Sequence, residues 1–176
     1  IGVAAASGHW DILDKMIRDL QGLTFNLRHA PKPVVTAVQG MALGGGVEMA
    51  LAGWEAVANH ETYMGLVEVG VGLIPAGGGC KEVVRRKVNP TMRNANADPV
   101  SVIQVAFEQI GLAKVGASAW ENEELGYLTA ADTIVMNGDH RLAIAKQRVL
   151  QLVEMGTRPP EVEKIYAAGR DVYAAL

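Results

Sequence analysis

Cysteine is almost missing from this chain, and so are long apolar runs and blocks of like charge. Cys80 is the only thiol among 176 residues, so no disulfide can close within the chain, and the composition suits a reducing compartment. In its context Cys80 reads as a small, half-buried residue rather than a nucleophile. No apolar stretch reaches the roughly 20 residues that cross a bilayer, and no basic segment leads into an apolar one at the N-terminus. The expected address is therefore the cytoplasm. The 16 basic and 19 acidic residues give a net charge of only −3 and form no cluster of one sign. That distribution argues against a nucleic-acid surface or a polybasic membrane patch, and makes a small molecule the expected partner.

Several chemical signatures are missing too. The four histidines, His9, His29, His60 and His140, form no i, i+4 pair and have no carboxylate at ligand spacing, so no metal site is expected. There is no Gly-x-Ser-x-Gly elbow for a serine hydrolase. Gly70-Val71-Gly72-Leu73-Ile74-Pro75 begins like a dinucleotide fingerprint but has Pro75 where the third glycine is required. Gly72 to Gly77 fails as a phosphate loop because no Lys-Ser or Lys-Thr pair follows it. Lys81, Arg85 and Arg86 could meet phosphates, but solvated surface charge is the preferred reading.

What is present has a clear order. From Asp11 to Arg28, Ile12, Leu13, Met16, Ile17, Leu20, Leu23 and Leu27 recur at helical steps with charges between them, which predicts an amphipathic helix stopped by Pro31 and Pro33. Val34 to Val38 reads as a buried strand, Gly44 to Gly46 as a turn, and Val47 to Ala52 as a helix. Glu55 to Asn59 and Thr62 to Met64 read as short strand pieces, and Cys80 to Arg86 as a helix. Asn89 to Pro99 reads as a polar loop. Helical spacing returns over Val100 to Leu112, Ala117 to Leu125 and Asp139 to Met155, with Thr133 to Met136 as a strand. A final helix is expected from Pro159 and Pro160 through Leu176. The class is α/β with helix exceeding strand.

Two acids stand out. Glu48 follows the three glycines, whose backbone N–H groups are uncovered and could either form a tight turn or receive developing negative charge. A carboxylate there could also simply cap the helix. Glu68 lies in Met64-Gly65-Leu66-Val67-Glu68-Val69-Gly70, an apolar context in which an unpaired charge is expensive if buried. Two carboxylates sharing an apolar pocket are pushed apart in proton affinity, leaving one as base and one as acid, which suits addition of water across a double bond.

Pro31-Lys32-Pro33-Val34-Val35-Thr36-Ala37-Val38-Gln39-Gly40-Met41-Ala42-Leu43-Gly44-Gly45-Gly46-Val47-Glu48 closely resembles the signature of the enoyl-CoA hydratase (crotonase) superfamily. The match continues through Gly65-Leu66-Val67-Glu68 and Ile74-Pro75-Ala76-Gly77-Gly78-Gly79. The later stretches around Phe107 to Ile110, Ala113 to Ala119 and Leu125 to Leu128 look like the hydratase portion of fused 3-hydroxyacyl-CoA dehydrogenase/enoyl-CoA hydratase polypeptides.

The resemblance implies a crotonase-like (ClpP/crotonase) spiral β-β-α fold, N-terminally truncated, with a helical C-terminal region. Residues 1–87 are expected to form a partial core carrying the site motifs, 88–99 a polar loop, and 100–176 the helical part of the same domain. It implies that the Gly45 N–H is one of two oxyanion donors, that Glu48 and Glu68 flank the catalytic water, and that Ala42, Leu43, Gly44 and Ala76 border the substrate. Retention of both acids favours hydration of 2-enoyl-CoA thioesters in fatty-acid β-oxidation over double-bond migration.

The chain opens on Ile1 rather than Met and is expected to be cut at its start, so that the loop bearing the other oxyanion donor lies before it. No cofactor is expected within these residues. The CoA thioester is the substrate, and NAD enters only with a separate dehydrogenase domain. The implied partners are a homo-oligomer (a trimer or dimer of trimers) or a covalently linked dehydrogenase domain. The implied address is bacterial cytoplasm or, in a eukaryote, the lumen of an oxidative organelle. Two readings compete: another crotonase-type reaction, such as isomerisation, thioester hydrolysis or decarboxylation, and a non-catalytic module that assembles a larger complex.

Overall fold

The computed structural model describes residues 5–94 and 96–176; the first four residues of the small-residue opening, and Ala95 in the asparagine-rich stretch, lie outside the described residues. Helix α1 (Trp10–Arg28) ends where Ala30 and Pro31 break its periodicity. Its charged face carries the exposed i, i+4 pairs Lys15–Asp19 and Asp14–Arg18. Such pairs contribute only tenths of a kcal/mol, roughly 0.2–0.5 each, so packing of the opposite face must place the helix.

Among the described residues the sheet is three-stranded and parallel, in the order β1 (Val35–Leu43), β2 (Glu55–Gly65), β3 (Thr133–Val135). Helix α2 (Gly45–Leu51) makes the crossover from β1 to β2. The register runs Val38↔Ala58 and then Gly40↔Thr62, so β2 accommodates the extra length as a bulge around Asn59 to Glu61. The Asn59 side chain accepts the Glu61 N–H at 2.7 Å and closes that bulge locally. The two strand pieces expected on either side of it are thus one strand, and β1 continues five residues beyond the expected end at Val38.

Beyond a 3-10 turn at Glu68–Val71, helix α3 (Gly79–Val83) runs on through a wider turn at Val84–Val88 into α4 (Asn89–Met92). The expected polar loop therefore begins as helix. Val88, fully buried, anchors that helical run to the core despite the Asn-Pro that follows it. Helix α5 (Pro99–Gly111) is capped by the Asp98 carboxylate, which accepts the N–H groups of Val100 and Ser101. Helix α6 (Ala119–Glu124) is capped by Ser118 and tied to β2 by the Asn122 amide donating to the Thr62 carbonyl at 2.7 Å.

The main core joins α2, β2, α3, α5 and α6 through Val47, Leu51, Met64, Leu66, Val83, Ala106, Tyr127 and Leu128. A smaller cluster of Val57, Val135 and Ala145 seats α7 (Arg141–Glu154) on the sheet.

The expected final helix from Pro159 is replaced by a segment without regular secondary structure over 157–168, and only α8 (Gly169–Ala175) is helical. Tertiary bonds account for the difference. His29 Nδ1 donates to the Pro160 carbonyl, the Asn89 amide donates to the Lys164 carbonyl, and Asn89 Oδ1 accepts the Tyr166 N–H. Those bonds engage backbone groups that a helix would use internally. No helix among the described residues is long and apolar enough to cross a membrane.

Candidate active site

The turn from β1 into α2 is made by Gly44, at φ +54°, a conformation that a residue with a β-carbon rarely adopts. Its N–H donates to the Gly65 carbonyl at 2.8 Å, which joins the end of β1 to the end of β2. The first bonds of α2 run from the Val47 and Glu48 N–H groups to the Gly44 carbonyl, so the Gly45 N–H has no intrahelical acceptor. One turn on, Glu48 is almost completely buried, 3% exposed.

Glu48 does not cap its own helix. Its Oε1 accepts the Gly79 N–H at 2.8 Å, so the carboxylate sits at the first turn of α3 instead. From the other side, Glu68 opens the 3-10 turn after β2, with Oε2 buried and without a hydrogen-bond partner among the described residues. A β-carbon added at Gly44 would stand 3.1 Å from Glu68 Oε1, so the second carboxylate rests on the glycine turn that precedes the first. Burial, and to a smaller degree the charge of Glu48, holds the Glu68 carboxyl above the usual carboxylate range, against the opposing effect of a backbone hydrogen bond.

Both acids line one cavity of about 330 Å³, together with Gly44, Gly45, Ala76 and Gly77. Its remaining wall is apolar: Met16, Ile17 and Leu20 from α1 face Val67, Val71, Leu73 and Ile74. Helix α1 is pinned to the far rim by Gln21, whose amide donates to the Ala76 carbonyl at 2.7 Å, and by Thr24, whose hydroxyl donates to the Gly77 carbonyl at 2.8 Å. An apolar slot with two carboxyl groups and a backbone N–H that has no acceptor within its own helix can move protons at a substrate carbon and can receive charge on a carbonyl oxygen. A larger groove of about 540 Å³ beside Lys87, Gln109 and Leu125 contains neither acid.

Of the residues singled out in the sequence, Glu48, Glu68, Gly44, Gly45 and Ala76 meet at this cavity. Ala42 and Leu43 do not. Ala42 is buried in the main core, and Leu43 pairs with Gly65 at the end of β1; the chain reaches the cavity only once it has turned at Gly44. Cys80 is half-buried, and burial, then the charges of Glu48 and Glu68, push its thiol up, away from the reactive thiolate.

Arg85 and Arg86 are not solvated as expected: their side chains are 15% and 9% exposed and pair with the buried Glu82. No cluster of three or more metal-binding side chains occurs among the described residues. The α1 residues on the cavity wall were legible as a helix face but not as lining, and the Gly79 donor carries no side-chain signal at all.

Residues 13–97 match the enoyl-CoA hydratase/isomerase family. Over 164 residues, 93% of its length, the chain is 44% identical to a Bacillus subtilis protein named "Probable 3-hydroxyacyl-CoA dehydrogenase", of which it covers 20%. It is 35% identical over 80 residues to the mitochondrial methylglutaconyl-CoA hydratase of Mus musculus, covering 46% of this chain and 26% of that one. A solved enoyl-CoA hydratase from Polaromonas sp. JS666 superposes with a TM-score of 0.62 at 27% identity, covering 81% of this chain and 48% of that one. The chain thus spans about a fifth of the Bacillus relative and about half of the solved hydratase. The α/β architecture, with its parallel sheet and helical C-terminal region, is that of the crotonase-like fold.

Proposed function

We propose that this chain, whose residues 13–97 match the enoyl-CoA hydratase/isomerase family, hydrates 2-enoyl-CoA thioesters, with Glu48 as base and Glu68 as acid. The observation that carries this reading is the convergence of both carboxyl groups on one largely apolar cavity whose rim includes Gly45.

The division of labour follows from their surroundings. Burial raises the proton affinity of Glu68 above that of an ordinary carboxylate, which suits it to deliver the proton to carbon. Glu48, fixed by the Gly79 N–H, takes a proton from water as the water oxygen bonds to C3 of the enoyl group. Electrons shift onto the thioester oxygen, which accepts a hydrogen bond from the Gly45 N–H, and return as C2 takes the proton from Glu68. One water is consumed. Transfer of the proton from Glu48 back to Glu68 resets the pair. With both carboxyl groups bordering one cavity, the proposal has water and proton add to the same face of the double bond.

The likeness to the Bacillus protein over 93% of this chain supports a second element of the proposal, that these residues serve as the hydratase portion of a fatty-acid oxidation polypeptide that also carries 3-hydroxyacyl-CoA dehydrogenase activity. NAD would belong to that other portion. The test is product analysis by chromatography after incubation of the protein with crotonyl-CoA and, separately, with a 3-enoyl-CoA. The reading predicts 3-hydroxybutyryl-CoA from the first. A 2-enoyl product from the second, with no hydration of crotonyl-CoA, would replace hydratase with isomerase. Absence of acyl-CoA binding by calorimetry would leave only an assembly role.

A further inference from the structure

Arg85 and Arg86, together with Lys81, take no part in the cavity that holds Glu48 and Glu68. Arg85 and Arg86 belong instead to a separate, polar pocket of about 260 Å³, at the C-terminal end of α1, whose lining includes Arg28, Trp54, Arg85, Arg86, Arg93 and Asp132, while Lys81 lies outside it against Glu82. The pocket shares no lining residue with the candidate active site. We propose that this pocket binds a phosphate group, held by the guanidinium groups of Arg28, Arg86 and Arg93 and by the indole N–H of Trp54.

Charge bookkeeping points the same way. The cations of the network are Arg28, Lys81, Arg85, Arg86 and Arg93, and its carboxylates are Glu82, Asp132 and Glu163. Two positive charges are left over, the complement of a phosphate dianion. The carboxylates are also heavily committed. Asp132 already accepts the N–H groups of Ala56 and Thr129 and the Thr129 hydroxyl, while Glu82 is shared among Lys81, Arg85 and Arg86.

The donors are in surplus. Trp54 Nε1 is buried with no hydrogen-bond acceptor among the described residues, and Arg86 Nε, also buried, has only Glu82 Oε2 at 3.6 Å, beyond hydrogen-bond reach. A buried donor without a partner is costly, and an oxyanion in the pocket would satisfy both. Burial, followed by the nearby charge of Arg85, presses Arg28 down to about 10, against the opposing charges of Glu82 and Glu163, so a further anion beside it would favour its charged form. Forked guanidinium donors match tetrahedral oxyanions better than water does. Arg93, exposed and 3.8 Å from Glu163, stands at the mouth, where it can close on an incoming anion.

The site is independent of the proposed reaction and is tested apart from it. Inorganic phosphate is titrated into the protein by calorimetry at constant ionic strength, with chloride as the control, and the thermal midpoint is followed in parallel. The expected result is saturable binding at one site and a midpoint that rises with phosphate but not with chloride. Arg93→Gln, at an exposed position that folding does not need, should weaken binding about tenfold, the usual scale for one charge-assisted hydrogen bond. Trp54→Phe should weaken it as well, and Glu48→Gln should leave it unchanged. Competition with CoA identifies the source: displacement assigns the phosphate to a CoA molecule, and no displacement assigns it to the free ion. No response above the chloride control, or equal binding in Arg93→Gln, Trp54→Phe and the parent protein, overturns the proposal.

Discussion

Glu48 lies directly against the Cα of Gly77: a β-carbon at that position would overlap the Glu48 carboxylate and approach Leu20 Cδ2 to 2.6 Å. The carboxylate therefore has its place because residue 77 has no side chain. Gly77→Ala must displace either Glu48 or helix α1, and overpacking of this kind destabilises by about 1–3 kcal/mol. Hydratase activity should fall much further than the thermal midpoint implies, because Glu48 is moved off the water. Unfolding curves and crotonyl-CoA turnover on the same preparation check this.

Glu68 gives a pH signature of a definite sign. Its carboxyl is held above the usual range by burial, so the folded state binds the proton more tightly than the unfolded chain does. Its contribution to stability is complete below the unfolded carboxylate range and is lost as pH rises through the folded value. Glu68→Gln removes that loss. The variant should be more stable than the parent at neutral pH, and the advantage should vanish below about pH 4, the ordinary carboxylate range. Denaturation midpoints across pH read both limbs.

Glu82 carries the opposite sign. Burial pushes its carboxyl up, but the hydrogen bond and charge of Arg85, with the charge of Lys81, outweigh burial and bring it below the usual range. Its stabilisation is present above the unfolded value and lost as pH falls through the folded one. Glu82→Gln takes from the buried Arg85 and Arg86 the anion they share, leaving Glu163 at 3.2 Å from Arg85 and Asp132 at 3.9 Å from Arg86, and loss of one partner of a buried pair costs about 3–5 kcal/mol. That cost should shrink on acidification, as a pH series of denaturant titrations would show.

Tyr127, fully buried, accepts the Leu66 N–H on its phenol oxygen at 3.2 Å, two residues before Glu68. Tyr127→Phe preserves the packing but leaves that N–H unpaired, at a cost of about 1–3 kcal/mol. Because the backbone leading into Glu68 is loosened while the cavity wall is untouched, kcat should drop with KM little changed. Steady-state kinetics with crotonyl-CoA separate the two constants.

Local pattern carried a good part of this structure and tertiary bonding carried the rest. The periodicity of α1 and the glycine turn before Glu48 were legible because each follows from residues adjacent in sequence. Glu68 stood out because a charge among apolar neighbours is anomalous wherever it sits.

The unity of β2 was hidden. Asn59, His60 and Glu61 look like a break, whereas the Asn59 side chain folds them into a bulge without ending the strand. The 157–168 segment reads as helix from its local pattern, and the bonds that hold its backbone out of one come from His29 and Asn89, far away in sequence. Arg85 and Arg86 read as surface charge for the same reason, since Asp132 and Glu163, which bury them, belong to later parts of the chain. Ala42 and Leu43, adjacent to the turn in sequence, are separated from the cavity by the turn itself.

The central claim is that Glu48 and Glu68 work as one acid–base unit on a single cavity. Its most direct test is the rate of crotonyl-CoA hydration in Glu48→Gln, Glu68→Gln and the double variant. Each single substitution should lower kcat by about 100-fold or more, the usual contribution of a positioned acid or base, and the double variant should be little slower than the slower single, as expected for groups that act together. Full activity in either single variant, or losses that simply multiply in the double, would contradict it.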